Sequence, residues 1–179
     1  MIYVRSLERR EAFETALKVQ QPNSAMCFVC GLENPAGLKL VFYETGPDEV
    51  TATYTPPEVF QGYPGVLHGG IVASILDEAG GRVVMIGDTR HFMLTAKMEV
   101  KYRRPTPLGQ PLTVVGRLVK QRGRLALAHA ELRLADGTVT AEADLTLADL
   151  PTEAIVDGDL EALGWRVYEL PDPESVPHA

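Results

Sequence analysis

Cysteine is almost absent from this 179-residue chain, which has only Cys27 and Cys30. Two thiols are too few for a disulfide-stapled secreted scaffold. A zinc site readable from sequence wants four ligands, usually a second C-x-x-C or a paired histidine. The four histidines, His68, His91, His129 and His178, do not have that spacing. A redox pair wants a thioredoxin-like βαβ context, and that is missing too. The two cysteines therefore read as reduced structural thiols in a tight turn before Gly31. A metal shared between subunits is the lesser reading, and no metal or other cofactor is expected.

Positive charge is also short. Lys and Arg number 17 against 24 Asp and Glu, a net charge of −7, which argues against a nucleic-acid binder. No apolar run approaches the roughly 20 residues that span a bilayer. The N-terminus carries Arg5, Glu8, Arg9, Arg10, Glu11 and Glu14, so no signal peptide is expected. Neither a repeat nor a low-complexity tract is present. With 45% apolar and 23% charged residues, the expectation is a soluble cytoplasmic protein with one sizeable core, touching neither membrane nor nucleic acid.

What the chain does have is one organising stretch, His68-Gly69-Gly70 running on through Asp77 to Gly80-Gly81. The spacing predicts a helix over about 69–86. Ile71, Val72, Ile75, Leu76, Ala79 and Ile86 share an apolar sector, and Glu78 and Arg82 lie i,i+4 on a solvated one. Asp77 falls on neither. Its helical neighbours are Ala73, Ser74, Gly80 and Gly81, so its carboxylate stands in a clearing open to a second helix or a ligand. Two helical glycines cost roughly 1 kcal/mol each, which packing or function must offset. Asp77 also lies about 12 Å along the helix from Gly69. If the two act on one group, they come from different subunits.

Around this helix the pattern is mostly extended. An amphipathic helix is expected over 6–20. Strands are expected at 38–43 and 50–54, then at 94–103, 112–120, 125–134 and 139–147, with Asp136-Gly137 as a hairpin turn. In the third of these, Leu94, Ala96, Met98, Val100 and Tyr102 alternate with Thr95, Lys97, Glu99, Lys101 and Arg103. That parity puts Thr95 on the charged face. The fold class is α+β, an antiparallel curled sheet wrapped on one long helix. The organisation is a helical extension over 1–25, a domain over 26–150 and an acidic tail over 151–179. In the tail a short helix is expected at 157–163, with Trp165 as an apolar anchor and disorder beyond Pro171.

His68-Gly69-Gly70, the spaced Asp77 and the strand end Val100-Lys101-Tyr102-Arg103-Arg104-Pro105-Thr106-Pro107-Leu108-Gly109 together resemble the hotdog-fold acyl-CoA thioesterases of the phenylacetate-pathway (PaaI-like) type, over roughly residues 26–149. Cys27-x-x-Cys30-Gly31 with Asn34-Pro35 and Gly37-Leu38 resembles an uncharacterised subgroup. The resemblance implies a homodimer, with pairing into a tetramer left open, whose two sites lie at the interface. It implies that the Gly69 N–H polarises a thioester carbonyl and that Asp77 of the other subunit is nucleophile or general base. His68 orients the substrate or loop, and Thr95 positions water. Gly70 serves the site or helix packing. Some members carry Asn or Gln six residues before the histidine, where this chain has Gly62, with Gln61 as a substitute. Arg103 and Arg104, with Lys101, Arg122 and Arg124, are candidates for coenzyme A phosphates. The expected reaction is hydrolysis of an acyl-CoA or acyl-carrier-protein thioester. The rival readings are a hotdog hydratase or dehydratase and a non-catalytic acyl-CoA-binding module.

Overall fold

Small residues on one sheet face decide where the helix sits. Ala126, Ala128 and Ala130 on one strand and Ala141 and Ala143 on the next are all buried. A side chain at Gly116 would strike the Ala79 carbonyl oxygen at 2.4 Å. These positions form a shallow trough in which the helix backbone lies close against the sheet. The computed structural model describes residues 18–149 and 159–170.

The strands are β1 (Val19–Gln20), β2 (Asn23–Ser24), β3 (Tyr43–Gly46), β4 (Glu49–Tyr54), β5 (Met93–Tyr102), β6 (Leu112–Arg122), β7 (Leu125–Arg133), β8 (Val139–Asp149) and β9 (Trp165–Arg166). Seven form an antiparallel sheet in the order β1-β3-β4-β6-β7-β8-β5, while β2 and β9 pair separately. The central helix, Gly69–Arg82, packs its buried face of Val72, Ile75, Leu76, Ala79 and Gly80 into the trough. This is the hotdog arrangement expected from the sequence. No helix among the described residues is long and apolar enough to cross a membrane.

Four local expectations are corrected. The helix stops at Arg82 and passes into a 3-10 turn, Val83–Met85. Val19 and Gln20 form a strand on β3 rather than the end of a helix. Lys18 lies in no element, and residues 6–17 of that expected helix lie outside the described residues, as do 157–158 and everything from 171. Residues 160–164 are turns. Leu38 to Phe42 run beside the 28–29 loop, with Leu38 and Leu40 N–H bonding Phe28 and Val29 carbonyls, and the sheet strand begins only at Tyr43.

The largest correction concerns Arg82. Expected on a solvated face, it is 2% exposed. Its Nε donates to Glu78 Oε1 at 3.0 Å, Nη1 donates to the Pro22 carbonyl, and the guanidinium lies 5.3 Å from both the Phe42 and Trp165 ring centres. Trp165 does anchor the tail: its ring meets Phe92 edge-on and its Nε1 donates to the Thr89 carbonyl. Segments distant in sequence thus close over the end of the helix and bury a cation whose Nη1 they also bind.

Candidate active site

The site is built from the helix start outward. His68 is the N-cap, and its Nδ1 accepts from the Gly70 N–H at 3.0 Å. The Ile71 and Val72 amides bond the His68 carbonyl. That leaves Gly69 as the first-turn residue whose N–H has no acceptor among the described residues. An unspent amide at a helix N-terminus carries the positive end of the helix dipole and suits a developing oxyanion. Because His68 Nδ1 accepts, its neutral tautomer carries the proton on exposed Nε2, ready to donate outward.

Two contacts fix this corner. Tyr102 Oη donates to the Gly69 carbonyl at 2.9 Å, tying the end of β5 to the helix start. Gly62 lies against His68, where an added Cβ would come within 3.1 Å of the His68 Cα. A side chain at 62 would therefore crowd the histidine. Gln61 Oε1 accepts from the Gly65 N–H at 2.9 Å and braces the loop before the helix. Tyr102 was missed as a site residue in sequence, although it stands inside the Val100-to-Gly109 motif.

Asp77 sits two turns further on, half-buried, and its carboxylate has no hydrogen-bond or ion-pair partner among the described residues. Gly70, Ala73, Ser74 and Gly81 are also at least partly exposed, so the clearing exists as expected. The two glycines beyond Asp77 differ. A Cβ on Gly80 would meet Leu145 at 2.6 Å, whereas one on Gly81 meets nothing within 4 Å. Gly80 lets the helix seat on β8, and Gly81 keeps the outer stripe low.

Thr95 is where strand parity fails. The β5–β8 register shifts between Thr95 and Lys97, leaving Ala96 as a bulged extra residue. Thr95 then pairs with Leu147 and Met98 with Leu145, both inner-face residues. Directly paired residues share a face, so the bulge moves Thr95 from the charged face to the helix side. It remains exposed there, on an edge strand of the sheet.

The candidate phosphate ligands separate. Arg103 pairs with Glu142 at 2.5 Å, and Lys101 lies 3.4 Å from Asp144. Arg124 Nη2 donates to the Asp149 carbonyl. Arg104 and Arg122 are exposed. Two clusters have metal-ligating side chains. In the first, His129 pairs with Asp144, Glu131 with Arg117 and Arg133, and Glu142 with Arg103, so its donors are already engaged. In the second, ligand atoms of Cys27, Cys30 and Glu78 all lie within 4.8 Å of one another. A hydrogen bond from the Cys30 thiol, joined by the Val29 and Cys30 amides, lowers Cys27 to about 6. The same sulfur pair and burial push Cys30 upward.

The thioesterase superfamily profile matches residues 64–141, which include the His68 cap, the helix and β5. Acyl-coenzyme A thioesterase THEM4 of Bos taurus is 27% identical over 139 residues, 74% of this chain and 56% of the relative. The chain thus spans about half the length of that relative. The medium/long-chain acyl-CoA thioesterase YigI of Salmonella typhimurium is 30% identical over 125 residues, 62% of this chain and 79% of the relative. A crystallised thioesterase superfamily protein superposes with a TM-score of 0.65 at 33% identity, covering 69% of this chain and 60% of that one. With the capped helix start, the spaced Asp77 and the sheet wrapped on the helix, these matches establish that the chain belongs to the thioesterase superfamily.

Proposed function

We propose that the protein hydrolyses an acyl-CoA thioester to free acid and thiol, at sites shared between two copies of the chain. The observation that carries this is the pair of unspent groups on one helix: the Gly69 N–H at its start and the Asp77 carboxylate about 12 Å along it. One helix cannot bring both to one carbonyl, but two antiparallel helices related by a two-fold axis can. The Gly69 N–H then donates to the thioester carbonyl oxygen, and His68 Nε2 steadies the substrate. The partner subunit's Asp77 attacks the carbonyl or draws a proton from water, and Thr95 holds that water. The tetrahedral intermediate collapses by breaking the C–S bond and expelling the thiolate, which takes up a proton. Where Asp77 is the nucleophile, water then hydrolyses the acyl–Asp77 anhydride to the free acid and the regenerated carboxylate. Arg104 is the better candidate for a coenzyme A phosphate, since Arg103 is already paired with Glu142.

The half-exposed small stripe of the helix and the exposed Thr95 on the edge strand are suited to covering by a second copy. On the outer sheet face, Leu94, Leu125 and Leu127 are 52%, 53% and 44% exposed. That apolar band favours further pairing of dimers. The names of the relatives favour a coenzyme A substrate over a carrier protein.

Free-thiol release from a panel of short, long and aromatic acyl-CoAs, wild type beside Asp77→Asn, tests the reading. Turnover should fall about 10²–10⁴-fold in the variant. Hydration of an enoyl-CoA without thiol release would replace hydrolysis with hydratase chemistry. Tight acyl-CoA binding with no turnover would make the protein a binding module.

A further inference from the structure

We propose that Cys27, Cys30 and Glu78 form a zinc site that fastens the N-terminal loop to the central helix. The sequence offered two ligands and no candidate for a third; the fold supplies it from the helix. Cys27 Sγ and Glu78 Oε2 lie 3.7 Å apart. The thiol can donate a hydrogen bond to the carboxylate across that distance, and a shared metal fits it as well. A tetrahedral zinc ion with bonds of about 2.3 Å to sulfur and about 2.1 Å to carboxylate oxygen holds those atoms about 3.6 Å apart.

The turn is already shaped for a metal. The Val29 and Cys30 amides donate to Cys27 Sγ at 3.3 and 3.4 Å, an arrangement that favours a thiolate. The Gly31 amide donates to the Cys27 carbonyl at 2.9 Å, and an added Cβ on Gly31 would lie 2.3 Å from that oxygen. Asn23 Nδ2 holds the Cys30 carbonyl, and Asn34 Nδ2 reaches those of Met26 and Cys27.

The outer shell is equally specified. Glu78 Oε1 takes Arg82 Nε at 3.0 Å, which orients the carboxylate and leaves Oε2 toward the sulfurs. Arg82 is itself held by the Pro22 carbonyl and two aromatic rings. Metal-ligating carboxylates characteristically have such a partner. Two thiolates, one carboxylate, one guanidinium and a divalent cation sum to zero charge, which a largely buried site requires. A water molecule completes four-coordination. The other cluster, around His129, has no comparable freedom, since arginines or Asp144 occupy its donors.

The test uses the full-length chain and zinc itself. After reduction and dialysis against zinc, mass spectrometry should find one equivalent per chain. A thiol reagent should find both cysteines shielded until a chelator is added, and cobalt(II) should give a thiolate charge-transfer band. Glu78→Gln should weaken zinc binding at least about tenfold, and Cys30→Ser should abolish the cobalt band. If a variant does not fold, the wild-type readouts decide. Thiols that react freely in zinc-replete buffer, or that close into a disulfide there, would overturn the site. Glu78→Gln binding as tightly as wild type would remove the carboxylate from it. None of these readouts depends on thioester hydrolysis.

Discussion

At the scale of single residues, Gly69→Pro isolates the backbone donor. Proline is tolerated at the first helical position, where its missing N–H is unbonded anyway. His68 already has φ −59° and ψ 132°, compatible with a following proline. The nearest atoms to a Cβ at 69 are the Tyr102 ring and hydroxyl, at an ordinary 3.6 Å. The variant should keep its melting temperature while kcat falls about 10²–10³-fold, the usual loss for one oxyanion donor. Tyr102→Phe tests the tether behind that donor. It should cost about 0.5–1.5 kcal/mol in denaturant unfolding and lower kcat with little change in KM. The free Gly69 amide, the His68 cap and the open setting of Asp77 were legible in sequence because a helix N-terminus and its periodicity are local signals. Tyr102 was not, because its hydrogen bond spans 33 positions.

At the scale of elements, the paired glycines of the helix should behave oppositely. Gly80→Ala drives a methyl into Leu145 and should destabilise by about 1–3 kcal/mol. Gly81→Ala meets nothing within the chain. It should gain up to about 1 kcal/mol of helix propensity in denaturation of the monomer and weaken any helix-to-helix association. The outer sheet face supplies a pH dependence. Burial would raise Glu131, but the Arg133 hydrogen bond and the charges of Arg133, Arg117 and His129 outweigh it and hold it below the ordinary 4.5. A carboxyl lowered on folding stabilises fully above its unfolded value, and that gain is lost as pH falls through the folded one. Glu131→Gln should flatten the acid limb of a stability-versus-pH curve below about pH 4.5. Strand existence was legible from two-residue periodicity, but the side of Thr95 was not. One bulged residue at Ala96 reverses parity, and nothing local marks it.

At the scale of the molecule, the sheet order and the burial of Arg82 depended on contacts that no local pattern encodes. Pro22, Phe42 and Trp165 converge on that guanidinium from three distant segments. Sequence distance along one helix nevertheless implied the central claim, that a complete site takes its donor from one copy and its carboxylate from another. The direct measurement mixes two inactive proteins, Gly69→Pro and Asp77→Asn, under conditions that exchange subunits, and follows acyl-CoA thiol release. In a random equal mixture half the dimers are mixed, and each mixed dimer holds one intact site. Shared sites therefore predict recovery of about a quarter of wild-type activity. A mixture as inactive as its components, with subunit exchange verified, would contradict a site shared between subunits.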